Sequence, residues 1–253
     1  MKKKTVFIIA LIAAVSMLTY KAHAATGTLP IPKISLNIDN SGSPKDYVDS
    51  IKVLILITVL SLAPSFIVLM TSFTRIIVVL SFVRNALSTQ QTPPNQVLIA
   101  LALFLTFFIM SPVYSKVNSE AVQPYLQNKI TQEQAIQIGE KPIKEFMLKQ
   151  TYQKDLALFV DSSKIGKIDK PEDTPLRVLI PAFTISELKT AFEIGFLIYI
   201  PFIVIDMVVA SILMSMGMFM LPPITISLPF KILLFIMVDG WNLVVKSLIQ
   251  SFM

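Results

Sequence analysis

Residues 207–230, MVVASILMSMGMFMLPPITISLPF, form a run of 24 without a charge. That length could cross a hydrocarbon core of roughly 30 Å as a helix, but its prolines argue against a simple span. Pro222 and Pro223 end any unbroken helix at Leu221, which leaves about 22 Å at 1.5 Å per residue. Methionine falls at 214, 216, 218 and 220. On a helix these would split into two nearly opposite stripes, 214/218 and 216/220. On an extended loop all four would point the same way. Gly217 supplies a flexible point, and Pro222 pushes Leu221 toward extended geometry. Two readings stand: a helix end packed in a core with Met as gap filler, or a soft thioether cluster on a turn at membrane depth.

The whole chain shares this apolar character. It is 54% hydrophobic and 15% charged, with mean hydropathy +0.69, the composition of a membrane protein. The N-terminus reads as a cleaved signal peptide over residues 1–24, with an uncleaved anchor as the alternative. Lys2, Lys3 and Lys4 form its basic end, residues 6–18 its apolar run, and Ala22-His23-Ala24 a cleavage site before Ala25. Cleavage between Ala24 and Ala25 lowers the net charge from +6 to +2, so the basic balance gives no reason to expect a nucleic-acid partner. It also removes His23, the single histidine of a chain with no cysteine. The commonest general bases and soft metal ligands are then missing, and neither a cofactor nor catalysis is expected.

Composition divides the remainder. Residues 25–50 are polar and rich in turn formers, and read as a flexible exported arm. Residues 51–115 form a first apolar helical hairpin, with Pro64 kinking the first helix and Thr92-Pro93 expected as the N-cap and first residue of the second. Residues 116–177 hold 19 of the 38 charges and read as a polar, mainly helical extracytoplasmic insert. Thr131 and Gln134 predict a capping box there, and Pro142 an interruption. Residues 178–253 form a second apolar hairpin with the Met-rich loop and a C-terminal helix. The short 75–96 region, with two arginines and no acid, reads as cytoplasmic. Four nominal spans result, each broken by proline or bounded by charge. Such segments need other protein around them or a polar cavity, which predicts an obligate oligomer.

The isolated charges in apolar sequence need partners. Glu187 follows Thr184 by three residues and could close a capping box; Lys189 and Glu193 suit an i,i+4 pair. Asp206 and Lys231 have no charged neighbour within four positions, so Glu187 or Asp206 is expected to pair with Lys231 across helices or subunits.

Four blocks bring in a resemblance: LSLAPSFIVLMTSFTRIIVVLSFVRNAL, TQQTPPNQVLIALALFLTFFIMSPV, LIPAFTISELKTAFEIGFLIYIPFIVIDMVVASILMSMGMFMLPPITISLPFK and DGWNLV. Through them the chain resembles the FliP family of bacterial flagellar type III export-gate proteins. The resemblance implies an all-α integral membrane protein of broken helical hairpins. Several copies, expected as a pentamer, would pack with FliQ and FliR and other export-apparatus proteins into a helical cone that conducts unfolded flagellar proteins. It implies a multi-pass inner-membrane protein, in contact with lipid, at the flagellar basal body. It also implies a pore gasket at Met218, Phe219 and Met220, supported by Met214, Met216, Gly217, Pro222 and Pro223. Phe219 departs from the three consecutive methionines usual in the family. The signal peptide favours the flagellar branch over the similar subunit of virulence injectisomes. A small-ion channel or transporter is the alternative of another class; it would want an internal repeat or a ring of charges, and neither stands out.

Overall fold

In the computed structural model, which describes residues 44–89, 91–163 and 170–253, long apolar runs become helices and polar breaks become turns. No strand occurs among the described residues, so the fold is all-α. The helices are α1 (Pro44–Met70), α2 (Phe73–Ala86), α3 (Asn95–Val117), α4 (Gln123–Leu126), α5 (Gln132–Gln150), α6 (Gln153–Ser162), α7 (Leu176–Ser215), α8 (Pro223–Met237) and α9 (Gly240–Gln250). A π-helical turn, Asn118–Val122, joins α3 to α4, and a 3-10 turn, Pro171–Asp173, precedes α7. The signal peptide, its Ala24/Ala25 cleavage site and residues 25–43 of the arm lie outside the described residues. Residues 44–50, read as arm, already belong to α1.

Core packing centres on α2. Ile76, Val79, Leu80, Val83 and Ala86 have no exposed surface, and their three- and four-residue spacing marks one helix face. Against it lie Leu98 and Ala102 of α3, Ala191 and Phe202 of α7, Phe235 of α8, and Val244 and Leu248 of α9. Each fully buried Val, Leu or Ile contributes roughly 1.5–3 kcal/mol, so this stripe dominates the bundle's cohesion. A second cluster, Met147, Leu179 and Phe183, fastens α5 of the insert to α7.

The contact between α2 and α7 is close enough to require glycine at 195. A Cβ there would lie 2.6 Å from two ring atoms of Phe82, and that ring is already set edge-on against Phe192, centroids 5.2 Å apart. Gly195→Ala is expected to destabilise the chain by about 1–3 kcal/mol through overpacking. Thermal unfolding in detergent measures this; an unchanged Tm would mean that the ring moves aside freely.

Most prolines do not break helices here. Pro112, Pro142, Pro181, Pro201 and Pro229 all lie inside continuous helices, which corrects the expected interruption at 142 and the expected breaking of the later nominal spans by proline. Each removes one backbone hydrogen bond, and the helix continues on the remaining ones. Pro64 does bend α1. The expected cap at Thr92 is displaced: α3 starts at Asn95 after Pro94. Pro93 itself precedes a proline, which disfavours helical geometry there. The C-terminal segment, expected as one helix over 232–253, breaks at Asp239, where φ is +50°. Beyond it α9 leaves α8 at 63°.

Two helical stretches, Asn95–Leu126 and Leu176–Ser215, are long and apolar enough to cross a membrane. Two bent pairs, Val53–Leu62 with Pro64–Met70 and Pro223–Met237 with Gly240–Gln250, pass the same test as units. Large apolar side chains such as Phe104, Phe192, Phe196, Leu197 and Ile236 stand exposed, far beyond what a water-soluble monomer tolerates. The insert differs. Its capping box is present, with Gln134 N–H donating to Thr131 Oγ1 and Thr131 N–H to Gln134 Oε1. Lys149 and Lys116 lie 3.2 and 3.5 Å from Glu145. The hydrogen bond from Lys149, then the charge of Lys116, hold that carboxyl below its usual range. This is a solvated, ion-paired face.

Candidate functional site

The Met-rich stretch folds as a rigid helix end, a short apolar apex and a second rigid helix start. Helix α7 closes on a left-handed residue, Gly217, with φ +73°. Gly217 N–H donates to Met214 O at 3.1 Å, and Met218 N–H reaches back to Leu213 O at 3.0 Å. This two-bond closure satisfies the last carbonyls of the helix and needs a residue without strain at positive φ. On the other side Pro222 is the N-cap of α8 and Pro223 its first residue, a place where the missing N–H costs nothing.

Between these stops lie residues 218–221. Phe219 is 78% exposed and Met220 98% exposed, and Met214 and Met216 are exposed as well. The reading as a packed helix end with Met as filler is therefore overturned. The buried residue at this end of α7 is Leu213. The thioethers and the phenyl ring point away from the chain's own core.

About 12–14 Å below this loop, counted at 1.5 Å per residue along α7 and α8, the hairpin holds a polar cluster in which Asp206 is 26% exposed. Lys231 of α8 has no exposed surface, and its Nζ donates to Asp206 Oδ2 of α7 at 2.7 Å and to Ser88 Oγ at 2.8 Å. Asp206 Oδ1 accepts from Ser227 Oγ. A buried ammonium needs such acceptors, because transfer from water without them costs several kcal/mol. Lys231 thus takes Asp206, one of its two expected partners, and within one chain.

Glu187 is not the partner of Lys231. It accepts from Arg75 through both carboxylate oxygens, Nε–H to Oε2 at 2.9 Å and Nη2–H to Oε1. Nor does it close a capping box: Thr184 and Glu187 lie inside α7, and Thr184 Oγ1 donates to Ile180 O. Arg75 uses its remaining N–H groups on Gln150 Oε1 at 2.9 Å, Ser251 O at 2.9 Å and Ser251 Oγ at 3.1 Å. Its guanidinium also lies 3.9 Å from the ring centroid of Phe252. All five donors of an arginine are then engaged, and α2, α5, α7 and the residues after α9 meet at one group.

Sequence reading missed this hub because it counted Arg75 as a loop charge. The position lies in the first turn of α2 and is 2% exposed. Only Arg84 of that pair remains near the surface, donating to Pro93 O and Asn95 Oδ1. The charge argument for the orientation of residues 75–96 loses half its basis. Lys189 and Glu193 do form their i,i+4 pair, at 3.8 Å. Among the described residues no group of three His, Cys, Asp or Glu could hold a metal ion.

Comparison with known proteins gives a consistent pattern. A family model described as the FliP family matches residues 56–248. The chain is 61% identical over 217 residues to the flagellar biosynthetic protein FliP of Bacillus subtilis, covering 86% of this chain and 98% of that protein. It is 58% identical over 203 residues to the protein of that name from Pectobacterium carotovorum, 80% and 79% of the two chains. With the one from Aquifex aeolicus it shares 54% identity over 224 residues, 88% and 92%.

Proposed function

The chain belongs to the FliP family, and we propose from that premise that it is a pore-forming core subunit of the flagellar type III protein-export gate. In this reading several copies, with FliQ and FliR, enclose a path through the inner membrane at the flagellar basal body, and unfolded flagellar proteins pass along it. The flagellar branch is preferred to the injectisome one because the relatives are flagellar biosynthetic proteins by name.

The observation that carries the reading is the apolar apex at residues 218–220, set between two fixed helix ends and exposed on the single chain. An apolar loop with so little contact to its own core is suited to meeting the same loop of neighbouring copies. A ring of such loops would exclude water and ions by dewetting. Methionine's three rotatable bonds and polarisable sulfur let it re-pack around varied polypeptides. Phe219 has only two rotatable side-chain bonds and more area, so it fills the constriction while Met218 and Met220 adapt around it. Met214, Met216, Gly217, Pro222 and Pro223 fix where the apex sits. The pair Asp206–Lys231 ties α7 to α8 below it.

Deleting residues 218–220 is expected to raise ion leakage through the assembled gate several-fold while leaving the helices on either side folded. Conductance of inner-membrane vesicles containing the complex is the measurement. Unchanged conductance with normal assembly would remove the seal from this reading.

A further inference from the structure

Ser88 follows the C-cap of α2 with φ +57°, in the left-handed region. Helices usually place glycine there, because a Cβ is strained at that geometry. The backbone bond that closes this end, Ser88 N–H to Asn85 O at 3.0 Å, is one that glycine would make equally well. The turn by itself therefore gives no reason for serine. What serine adds is its hydroxyl, which accepts from the wholly buried Lys231 at 2.8 Å. Asp206 and Lys231 belong to the two helices that flank the apical loop, and Ser88 belongs to neither. Its hydroxyl fastens that hairpin to α2, the helix at the centre of the core.

We propose that Ser88 is a positioning residue for the loop at 218–220. By giving Lys231 Nζ a second acceptor from outside the hairpin, it sets how α7 and α8 pack about 12–14 Å below the loop, so the loop's resting position depends on the turn after α2. This deepens, and rests on, the reading of 218–220 as a pore seal. A serine that served only the turn and a serine that served Lys231 give different expectations for Ser88→Gly. In the first case glycine relieves strain and changes nothing at the loop. In the second the strain relieved is set against an acceptor lost by Lys231, and the loop is freed.

Because the chain has no cysteine, Met220→Cys supplies its single thiol, at a position 98% exposed. The full-length chain is assembled with its complex in native membranes, and the rate of maleimide modification is read on this chain after its isolation. Adding Ser88→Gly is expected to change that rate at least twofold, whichever way Tm moves, because relief of the positive φ and loss of an acceptor for Lys231 oppose each other. Ser88→Asn, which tolerates positive φ and offers Lys231 a carbonyl acceptor, is expected to return the rate to that of the serine protein. Equal rates for serine and glycine would overturn the proposal. So would a fall in Tm with no change at position 220, since the hydroxyl would then serve the fold alone. Failure of the seal itself is told apart by the deletion of 218–220: a leak-free deletion removes the seal and leaves the modification result standing.

Discussion

Replacing Glu187 with alanine is expected to cost the fold about 3–5 kcal/mol, a large part of the roughly 5–15 kcal/mol that stabilises a typical domain. The carboxylate has no exposed surface and takes two N–H groups of Arg75, itself 2% exposed. Alanine would leave a buried guanidinium with two unpaired donors and no counter-charge. Water cannot repair this without opening the junction of α2, α5 and α7. The double variant Arg75→Met with Glu187→Leu removes both charges and is expected to recover much of the loss, because the attraction of a buried pair mainly offsets its own desolvation. Recovery stays incomplete, since Ser251 O and Gln150 Oε1 also lose their donor, at about 1–3 kcal/mol for each group left unsatisfied. Denaturant unfolding of the purified chain in detergent gives all three values. A single variant as stable as the parent would mean that the pair contributes nothing.

How far the fold could be read beforehand depended on the range of the forces involved. Apolar periodicity and charge density are local, and the all-α class they predict is the class observed. The capping box at Thr131 and Gln134 is local too, and it forms as written. Proline was overweighted. Its cost is local, about 3 kcal/mol in a helix interior, yet at Pro112, Pro142 and Pro201 the helix runs on through it. Arg75 and Glu187 lie 112 positions apart, and no spacing rule connects them. A usable signal did exist, since an arginine followed at once by IIVVL sits in a buried stripe and needs a carboxylate. Ser88 was invisible for another reason. A serine near a helix end is ordinary in composition, and only its positive φ and its contact with Lys231 single it out.

The second large effect concerns Lys231. Lys231→Glu is expected to abolish accumulation of folded subunit, because it removes a buried ammonium from its half-buried partner and sets two carboxylates within hydrogen-bonding reach of each other. Losing the pair is worth less than the roughly 3–5 kcal/mol of a fully buried one, because Asp206 is 26% exposed, and repulsion between the two carboxylates adds to it. The pairing of Lys231 with Asp206 makes the rescue specific. Asp206→Lys restores one cation and one anion in the same place and is expected to recover part of the accumulation. Glu187→Lys is not. Residues 187 and 206 are both on α7, so 19 positions at 1.5 Å set them about 28 Å apart, beyond the reach of any side chain on Lys231. Glu187→Lys would also put a lysine beside Arg75 and break the buried pair there. Rescue by Asp206→Lys should come with a low ion leak, because α7 and α8 are then tied together again below the 218–220 loop. Rescue by Glu187→Lys in its place would mean that Lys231 finds its partner in the working assembly on another copy of the chain, and the brace within one hairpin would have to be given up.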